Sequence, residues 1–377
     1  METINFDKRD KVKNIIENKI NKNDIIENKI NFKIAVIAIT ENGKKTADKI
    51  KKVKDVDLFF QKKGIKELTG KLFEEYDCIV FISACGIAVR CISPYLKSKF
   101  EDPAILVVDD NGNNVISLLS GHIGGANEIT KEIASILGAN PIITTSTDTN
   151  KKGALDVIAS KIGGYIKNFR ESSKYINSCL VNNKKVGIYF DENYIEEKEK
   201  LNLSGFEIIE ETSIEKIKDL QAIVTVTDKI ECFIDRIIED ENINYVKHIK
   251  LIPRKIVLGM GCRKETELEN MLNEFYNFAY INNIHPAAIV KTGSLIIKKD
   301  ELCMQELSKL LCADFILFNT EEISTCDFLF DKSDFVKKNT GVYSVAQPSA
   351  YLLSNGNVIS KKYKKNKTTF AFGRMKG

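Results

Sequence analysis

Leu118-Leu119-Ser120-Gly121-His122-Ile123-Gly124-Gly125-Ala126-Asn127-Glu128 decides how the first part of this chain is read. The apolar run from Val115 to Leu119 has strand character, and Ile129, Ile133, Ile136 and Leu137 recur at helical spacing after it. Between strand and helix lies a Ser-Gly-His-x-Gly-Gly turn. Such a turn presents backbone N–H groups where the helix dipole favours negative charge. It also carries His122, one of three histidines in the chain. An anion cradle and a titratable ring are therefore expected at one strand end.

Strands and helices alternate on both sides of this turn. Residues 33–39, 56–60, 78–83 and 141–145 read as strands, with helices to about residue 54, over 64–73 and around Val89 and Ile92. Residues 104–108 and 115–119 flank Asp109-Asp110-Asn111-Gly112, a hairpin signal. Punctuation around 149–153 marks a boundary. After it come a helix over 155–166, strands near 185–190 and 222–226, and a linker over 243–253. A third segment begins with strand 255–259 and helix 265–279 and closes with strand 368–372. The expected fold is α/β in three domains, the first an open, mostly parallel sheet with helices on both faces. The divisions are a polar leader over 1–31, an N-terminal domain over 32–150, a middle domain over 151–252 and a C-terminal domain over 253–377. The leader, in which Ile15-Ile16-Glu17-Asn18-Lys19-Ile20-Asn21 recurs as 25–31, reads as a helical or disordered appendage.

Composition narrows the class. With 377 residues, 43% hydrophobic and 29% charged, the chain is of globular type. Apolar runs stay shorter than a membrane span, and the first residues lack the apolar core of a signal peptide, so a cytoplasmic protein is expected. A net charge of +4 gives no ground for a nucleic-acid partner. Nine cysteines include no C-x-x-C pair, which argues for reduced thiols over a disulfide framework, zinc ribbon or iron–sulfur cluster.

Three strand ends carry small or polar residues: Ala84-Cys85-Gly86, Ser120-Gly121-His122, and Thr144-Thr145-Ser146-Thr147-Asp148. In a doubly wound sheet ligands sit beyond the carboxyl ends of the strands, so the three turns are expected to converge, with Arg90 in reach of an anion. Taken singly, each is ordinary turn chemistry. His122 can act as a general base or pin its loop, and Asp148 can orient a base or cap a helix. Gly259-Met260-Gly261-Cys262-Arg263 and Gly43-Lys44-Lys45-Thr46 match nucleotide motifs only in part. Ser294 with 298–301 and Asn339-Thr340-Gly341-Val342 form either a second polar cluster or simple turns, and spacing alone favours turns; the lysine run 361–367 reads as a solvated hairpin, with a carboxylate-rich ligand as the functional alternative.

Gly86-Ile87-Ala88-Val89-Arg90, Asp102-Pro103-Ala104, the run from Val115 to Asn127 and Ile142-Ile143-Thr144-Thr145-Ser146-Thr147-Asp148 together resemble the cobalt-precorrin-5A hydrolase family. Gly259-x-Gly261-Cys262-Arg263, Lys298-x-Asp300-Glu301 and Gly341-Val342-x-Ser344-Val345-Ala346 are similar to its C-terminal domain, with Gln347 where an acidic residue is expected. The resemblance implies a hydrolase of the anaerobic cobalamin route that opens a ring-A δ-lactone with water. It releases the C-20 two-carbon fragment as acetaldehyde and leaves cobalt-precorrin-5B. Cobalt arrives inside the substrate, so neither a protein cofactor nor a protein metal site is expected. The partners are the cobalt-tetrapyrrole and water, with handover to other corrin-pathway enzymes and no nucleic acid or membrane. The resemblance places the site here, and the residues' own chemistry makes His122 the candidate base, Asp148 its orienter and the amides of Gly121 to Gly125 the oxyanion donors. Gly86, Arg90, Ser120, Gly121, Gly124, Gly125, Asn127 and Thr145 are the implied substrate contacts. The alternatives are a non-catalytic corrinoid-binding or handover protein, and a nucleotide-binding enzyme.

Overall fold

A computed structural model describes residues 12–16, 20–27, 32–98, 101–122, 124–145, 152–212 and 214–376. Three sheets form the frame. The first has the order β3-β2-β4-β5-β6-β7. Its strands are β2 (Ile34–Ala38), β3 (Asp57–Phe60), β4 (Cys78–Ile82), β5 (Ala104–Val108), β6 (Asn114–Leu119) and β7 (Asn140–Ile142).

Period-two alternation divides the central strands between two cores. Ile34, Val36, Val80, Ile82 and Leu106 face helices Glu41–Lys51 and Ala126–Leu137. Ala35, Ile37, Ile79, Phe81 and Val107 face helices Ile65–Glu75 and Cys85–Ile92. Both faces of the sheet are covered, which explains why β2, β4 and β5 are apolar throughout.

The direction of β6 positions everything that follows. Strands β2 to β5 are parallel, whereas β6 returns antiparallel to β5 and pairs parallel with β7. Its last residue, Leu119, lies beside Ile105, near the start of β5. The carboxyl ends of β6 and β7 therefore lie at the amino edge of the other strands.

The second sheet has the order β1-β8-β12-β11-β9-β10. Here β9 (Val186–Phe190), β10 (Phe206–Ile208), β11 (Ala222–Val226) and β12 (Lys247–Pro253) are parallel, β8 (Gly164–Tyr165) runs antiparallel to β12, and β1 (Ile25–Ile26) forms the edge, antiparallel to β8. The stretch read as a linker is thus in large part β12, a strand inside the sheet. His248 and Lys250 alternate with Ile249 and Leu251, which are buried in the middle core. The helix expected over 155–166 ends at Ile162, because Gly163 caps it and Gly164 opens β8.

The third sheet, β15-β14-β13-β17-β16, comprises β13 (Ile256–Cys262), β14 (Ile289–Leu295), β15 (Asp314–Phe318), β16 (Tyr363–Lys365) and β17 (Thr368–Arg374). Strands β13, β14 and β15 are parallel, while β17 runs antiparallel to both β13 and β16.

The described part of the leader is built into the two later sheets. Val12, Ile16 and Ile20, four residues apart, are buried in the C-terminal core. Ile26 is buried in the middle core, and β1 pairs with β8. Asp24 accepts from the Asn168 and Phe169 amides at 3.0 and 2.9 Å, capping helix Phe169–Val181. The middle and C-terminal sheets are also joined by polar contacts: Arg374 donates to Asp228 at 2.6 Å, and the Tyr194 hydroxyl donates to the same oxygen at 2.8 Å.

Candidate functional site

The glycine turn follows β6 and is closed largely on itself. Ser120 takes a left-handed backbone, φ 57°, and its hydroxyl donates to the Asp102 carbonyl at 3.0 Å. The Gly125 amide donates to His122, Ala126 to Ser120 and Asn127 to Gly121, at 2.9, 3.2 and 3.0 Å. The Gly125 amide is thus committed, whereas the Gly121 and Gly124 amides donate to no other described residue. A Cβ at Gly124 would lie 2.4 Å from the Ser120 Cβ, and one at Gly121 would lie 2.7 Å from Asn127 Oδ1. Glycine is required here by close approach.

Asn127, buried at the first turn of helix Ala126–Leu137, joins two strand ends. Its Nδ2 donates to Thr145 Oγ1 at 3.1 Å, and its Oδ1 accepts from Ser117 at 2.7 Å. Ser120, Gly121, His122, Gly124, Gly125, Asn127 and Thr145 are therefore neighbours in one structure. Asp148 lies outside the described residues.

Gly86 and Arg90 are elsewhere. They follow β4, whose carboxyl end lies beside Val108, whereas Leu119 lies beside Ile105. The two turns face opposite ends of the sheet, roughly 15 Å apart over strands of this length. The expected convergence of three turns fails because the β5–β6 hairpin reverses the strand carrying the histidine. Arg90 is exposed and lies over Gly86, with Nη1 3.5 Å from where a Cβ would sit.

His122 has a partner that sequence spacing does not indicate. Its Nδ1 is 3.2 Å from Oδ2 of Asp156, on helix Leu155–Ile162 of the middle domain. Asp156 is nearly fully buried, and its other oxygen accepts from Asn177 at 3.0 Å and from the Val157 amide at 3.2 Å. The pair bridges the first two domains. The other histidines are half-buried and serve packing: desolvation lowers His248 to about 4 and His285 to about 3, so both are neutral at pH 7. His248 bonds Thr225 at 2.9 Å, and His285 accepts from the Ala287 amide at 3.1 Å.

The C-terminal domain holds a basin of about 1540 Å³. Arg263, Lys264, Lys298, Lys364, Lys365 and Lys367 line it, and exposed Ile297, Leu302 and Phe335 contribute apolar surface. The clusters that spacing assigns to turns meet here, since Lys298, Asp300, Glu301, Asn339 and Thr340 all line the same space. The lysine run does form a hairpin, β16–β17, with four of its lysines, Lys362, Lys364, Lys365 and Lys367, on the basin wall. Ser294 is instead fully buried and donates to the Met260 carbonyl at 2.9 Å. Cys262 and Cys303 meet at the basin wall with sulfurs 3.9 Å apart. Their hydrogen bond favours thiolate on Cys303, at the start of helix Leu302–Leu310, and with burial pushes Cys262 up.

Family models match three consecutive segments: cobalamin synthesis G N-terminal over 67–148, the cobalamin biosynthesis central region over 153–235, and cobalamin synthesis G C-terminus over 256–373. A cobalt-precorrin-5A hydrolase of Salmonella typhimurium is 33% identical over 310 residues, covering 82% of this chain and 85% of the relative. The chain belongs to the cobalt-precorrin-5A hydrolase family. Another cobalt-precorrin-5A hydrolase, from Priestia megaterium, is 28% identical, with 88% of this chain and 92% of the relative covered. The crystal structure of a cobalamin biosynthesis protein G homolog from Sulfolobus solfataricus is 25% identical, covering 91% of this chain and 97% of that chain at a TM-score of 0.38. The N-terminal family segment takes in the glycine turn and the C-terminal one most of the basin wall. Among the described residues, no helix is long and apolar enough to cross a membrane.

Proposed function

We propose that this chain is a cobalt-precorrin-5A hydrolase of the anaerobic cobalamin route, acting in the cytoplasm. Its substrates are the cobalt-tetrapyrrole and water. It opens the ring-A δ-lactone and releases the C-20 fragment as acetaldehyde, leaving cobalt-precorrin-5B for other corrin-pathway enzymes. Family membership supports the reading. The observation that carries its chemistry is the 3.2 Å contact between His122 Nδ1 and Asp156 Oδ2.

A carboxylate on Nδ1 fixes the imidazole tautomer and makes Nε2 the basic nitrogen. His122 then takes a proton from the water that attacks the lactone carbonyl, and the Gly121 and Gly124 amides stabilise the oxyanion. Collapse opens the lactone to a carboxylate and a hydroxyl on the two-carbon fragment. Loss of that hydroxyl proton breaks the C–C bond, and the conjugated macrocycle accepts the electron pair and a proton. Hydrolysis on this route requires no cofactor from the protein.

The test is anaerobic incubation with enzymatically made cobalt-precorrin-5A, measuring acetaldehyde and product mass for wild type, His122→Ala and Asp156→Asn. Stoichiometric release by wild type, lost in His122→Ala with binding kept, supports the proposal. Unchanged turnover in His122→Ala removes the pair from the chemistry. Binding without release in wild type returns the handover reading.

A second reading concerns where the macrocycle rests. The basin's volume, cations and apolar rim favour it as the seat of a large polycarboxylate. On that reading Arg263→Ala and Lys364→Ala raise KM and leave kcat unchanged.

A further inference from the structure

We infer that Cys262, Cys303 and Glu301 form a binding site for a thiophilic divalent cation, zinc or cobalt, with an open coordination position facing the basin. One ligand atom from each of the three residues lies within 4.8 Å of the others. The sulfurs are 3.9 Å apart. Two thiolates on a tetrahedral ion at metal–sulfur distances of about 2.3 Å stand roughly 3.8 Å apart, so the pair already has the spacing of a tetrahedron edge.

The three residues arrive on rigid elements. Cys262 ends β13, Glu301 is the cap of helix Leu302–Leu310, and Cys303 lies in that helix's first turn. One oxygen of Glu301 accepts from Lys298 at 2.9 Å, which orients the carboxylate. All three residues line the basin, so the fourth position of a tetrahedron is left to water or to a basin ligand. Three protein ligands and one exchangeable position are the arrangement of reactive rather than structural zinc sites. Two sulfurs in the set select zinc or cobalt over magnesium or calcium.

The sequence alone led to the opposite expectation, no protein metal site because cobalt arrives inside the substrate and no zinc ribbon because no C-x-x-C pair occurs. The ligands come from positions 41 residues apart and meet through the β13–helix packing. The inference is independent of the hydrolase reading, because the ion is an inorganic cation and its uptake is read without substrate.

The experiment titrates reduced, chelator-treated full-length protein with cobalt(II) chloride and follows the thiolate-to-cobalt charge-transfer absorption. One cobalt per chain is expected, displaced by zinc and unaffected by magnesium. Cys262→Ser and Cys303→Ser lose the band, Glu301→Gln weakens binding at least about tenfold, and Cys85→Ser, an exposed thiol in the first domain, changes nothing. Should a serine variant fail to fold, wild-type protein gives the answer alone: zinc should protect Cys262 from alkylation, read by peptide mass. Absence of the band in wild type, a band that survives both serine variants, or alkylation unaffected by zinc would overturn the site.

Discussion

The glycine turn after β6 and the basin of the C-terminal domain are built on opposed principles. In the turn, polar groups bind one another: Ser120 holds Asp102, Asn127 ties Ser117 to Thr145, and three amides close on loop carbonyls. In the basin, lysines and an arginine line a wide opening with apolar side chains at their side. A closed turn fixes one ring to within a hydrogen bond's tolerance, which suits a proton transfer. An open wall with seven basic residues against five acidic ones, four of the lysines on one hairpin, suits recognition of a large anion whose charges are spread over many ångströms. If the chemistry belongs to the first and recognition to the second, mutations in the two should separate kcat from KM.

The largest expected effect is on kcat in His122→Ala. Loss of a general base costs about 10²–10⁴-fold in rate, and KM should hardly move because binding is assigned elsewhere. Asp156→Asn should fall between, since the ring keeps a hydrogen-bond partner and loses a charged one. Equal losses in KM and kcat for both variants would break the division between turn and basin.

Next in size is Ile16→Ala. Ile16 is buried in the C-terminal core beside the basin sheet, and truncating a buried isoleucine costs about 2–5 kcal/mol. Thermal unfolding monitored by amide exchange should show the loss in the C-terminal and middle domains, with the glycine turn protected as before. A uniform loss would mean that all three sheets unfold as one unit.

How much of this was legible in the sequence depends on what sets each feature. The apolar runs of β2, β4 and β5 and the strand–turn–helix around His122 are local, and the residues alone foretell them. The hairpin of β5 and β6 is local too, signalled by Asp109-Asp110-Asn111-Gly112. Its consequence is global: a reversed strand carries its turn to the far end of the sheet, away from Gly86 and Arg90. The carboxyl-end rule for parallel strands does not survive that reversal. Asp156 was invisible for another reason, since it reaches His122 from a different domain and lies in a helix's first turn, where acids are common in any case. Strand β12 was hidden by its polar first half, where Lys247 leads and His248 and Lys250 alternate with buried residues, so that the segment looked solvated.

Gly124→Ala tests how closed the turn is. The added methyl would meet the Ser120 Cβ at 2.4 Å and its carbonyl oxygen at 2.8 Å, and neither can retreat without opening the loop. A destabilisation of about 1–3 kcal/mol is expected from overpacking, with a fall in kcat as His122 shifts. Wild-type turnover in this variant would show that the ring tolerates displacement and would argue against its role as base.

The pH dependence of stability is a smaller effect and lies outside both regions. His285 is half-buried and neutral, with desolvation lowering its pKa to about 3 against an ordinary 6.5. Below pH 6.5 the unfolded chain takes up a proton that the folded chain refuses, so stability falls with falling pH, by up to ~1.4 kcal/mol per unit. His285→Asn keeps an acceptor for the Ala287 amide and should flatten the slope of Tm between pH 6.5 and 4. His248, lowered to about 4, contributes in the same direction and remains in the variant. An unchanged slope would place the acid sensitivity on carboxylates instead.

The smallest expected effect on stability comes from Gly261→Ala, and it discriminates most finely between turn and basin. A Cβ at Gly261 would meet Thr369 Cβ at 3.7 Å, an ordinary contact, with no other atom within 4 Å and no left-handed backbone to strain. Stability should stay within about 0.5 kcal/mol of wild type. Yet Gly261 lines the basin, and one methyl there would stand between the wall and any macrocycle pressed against it. A raised KM with unchanged kcat and Tm would seat the substrate on β13. No change in any of the three would leave the glycine turn as the place where the substrate is both held and cut, and would make the basin a surface for something else.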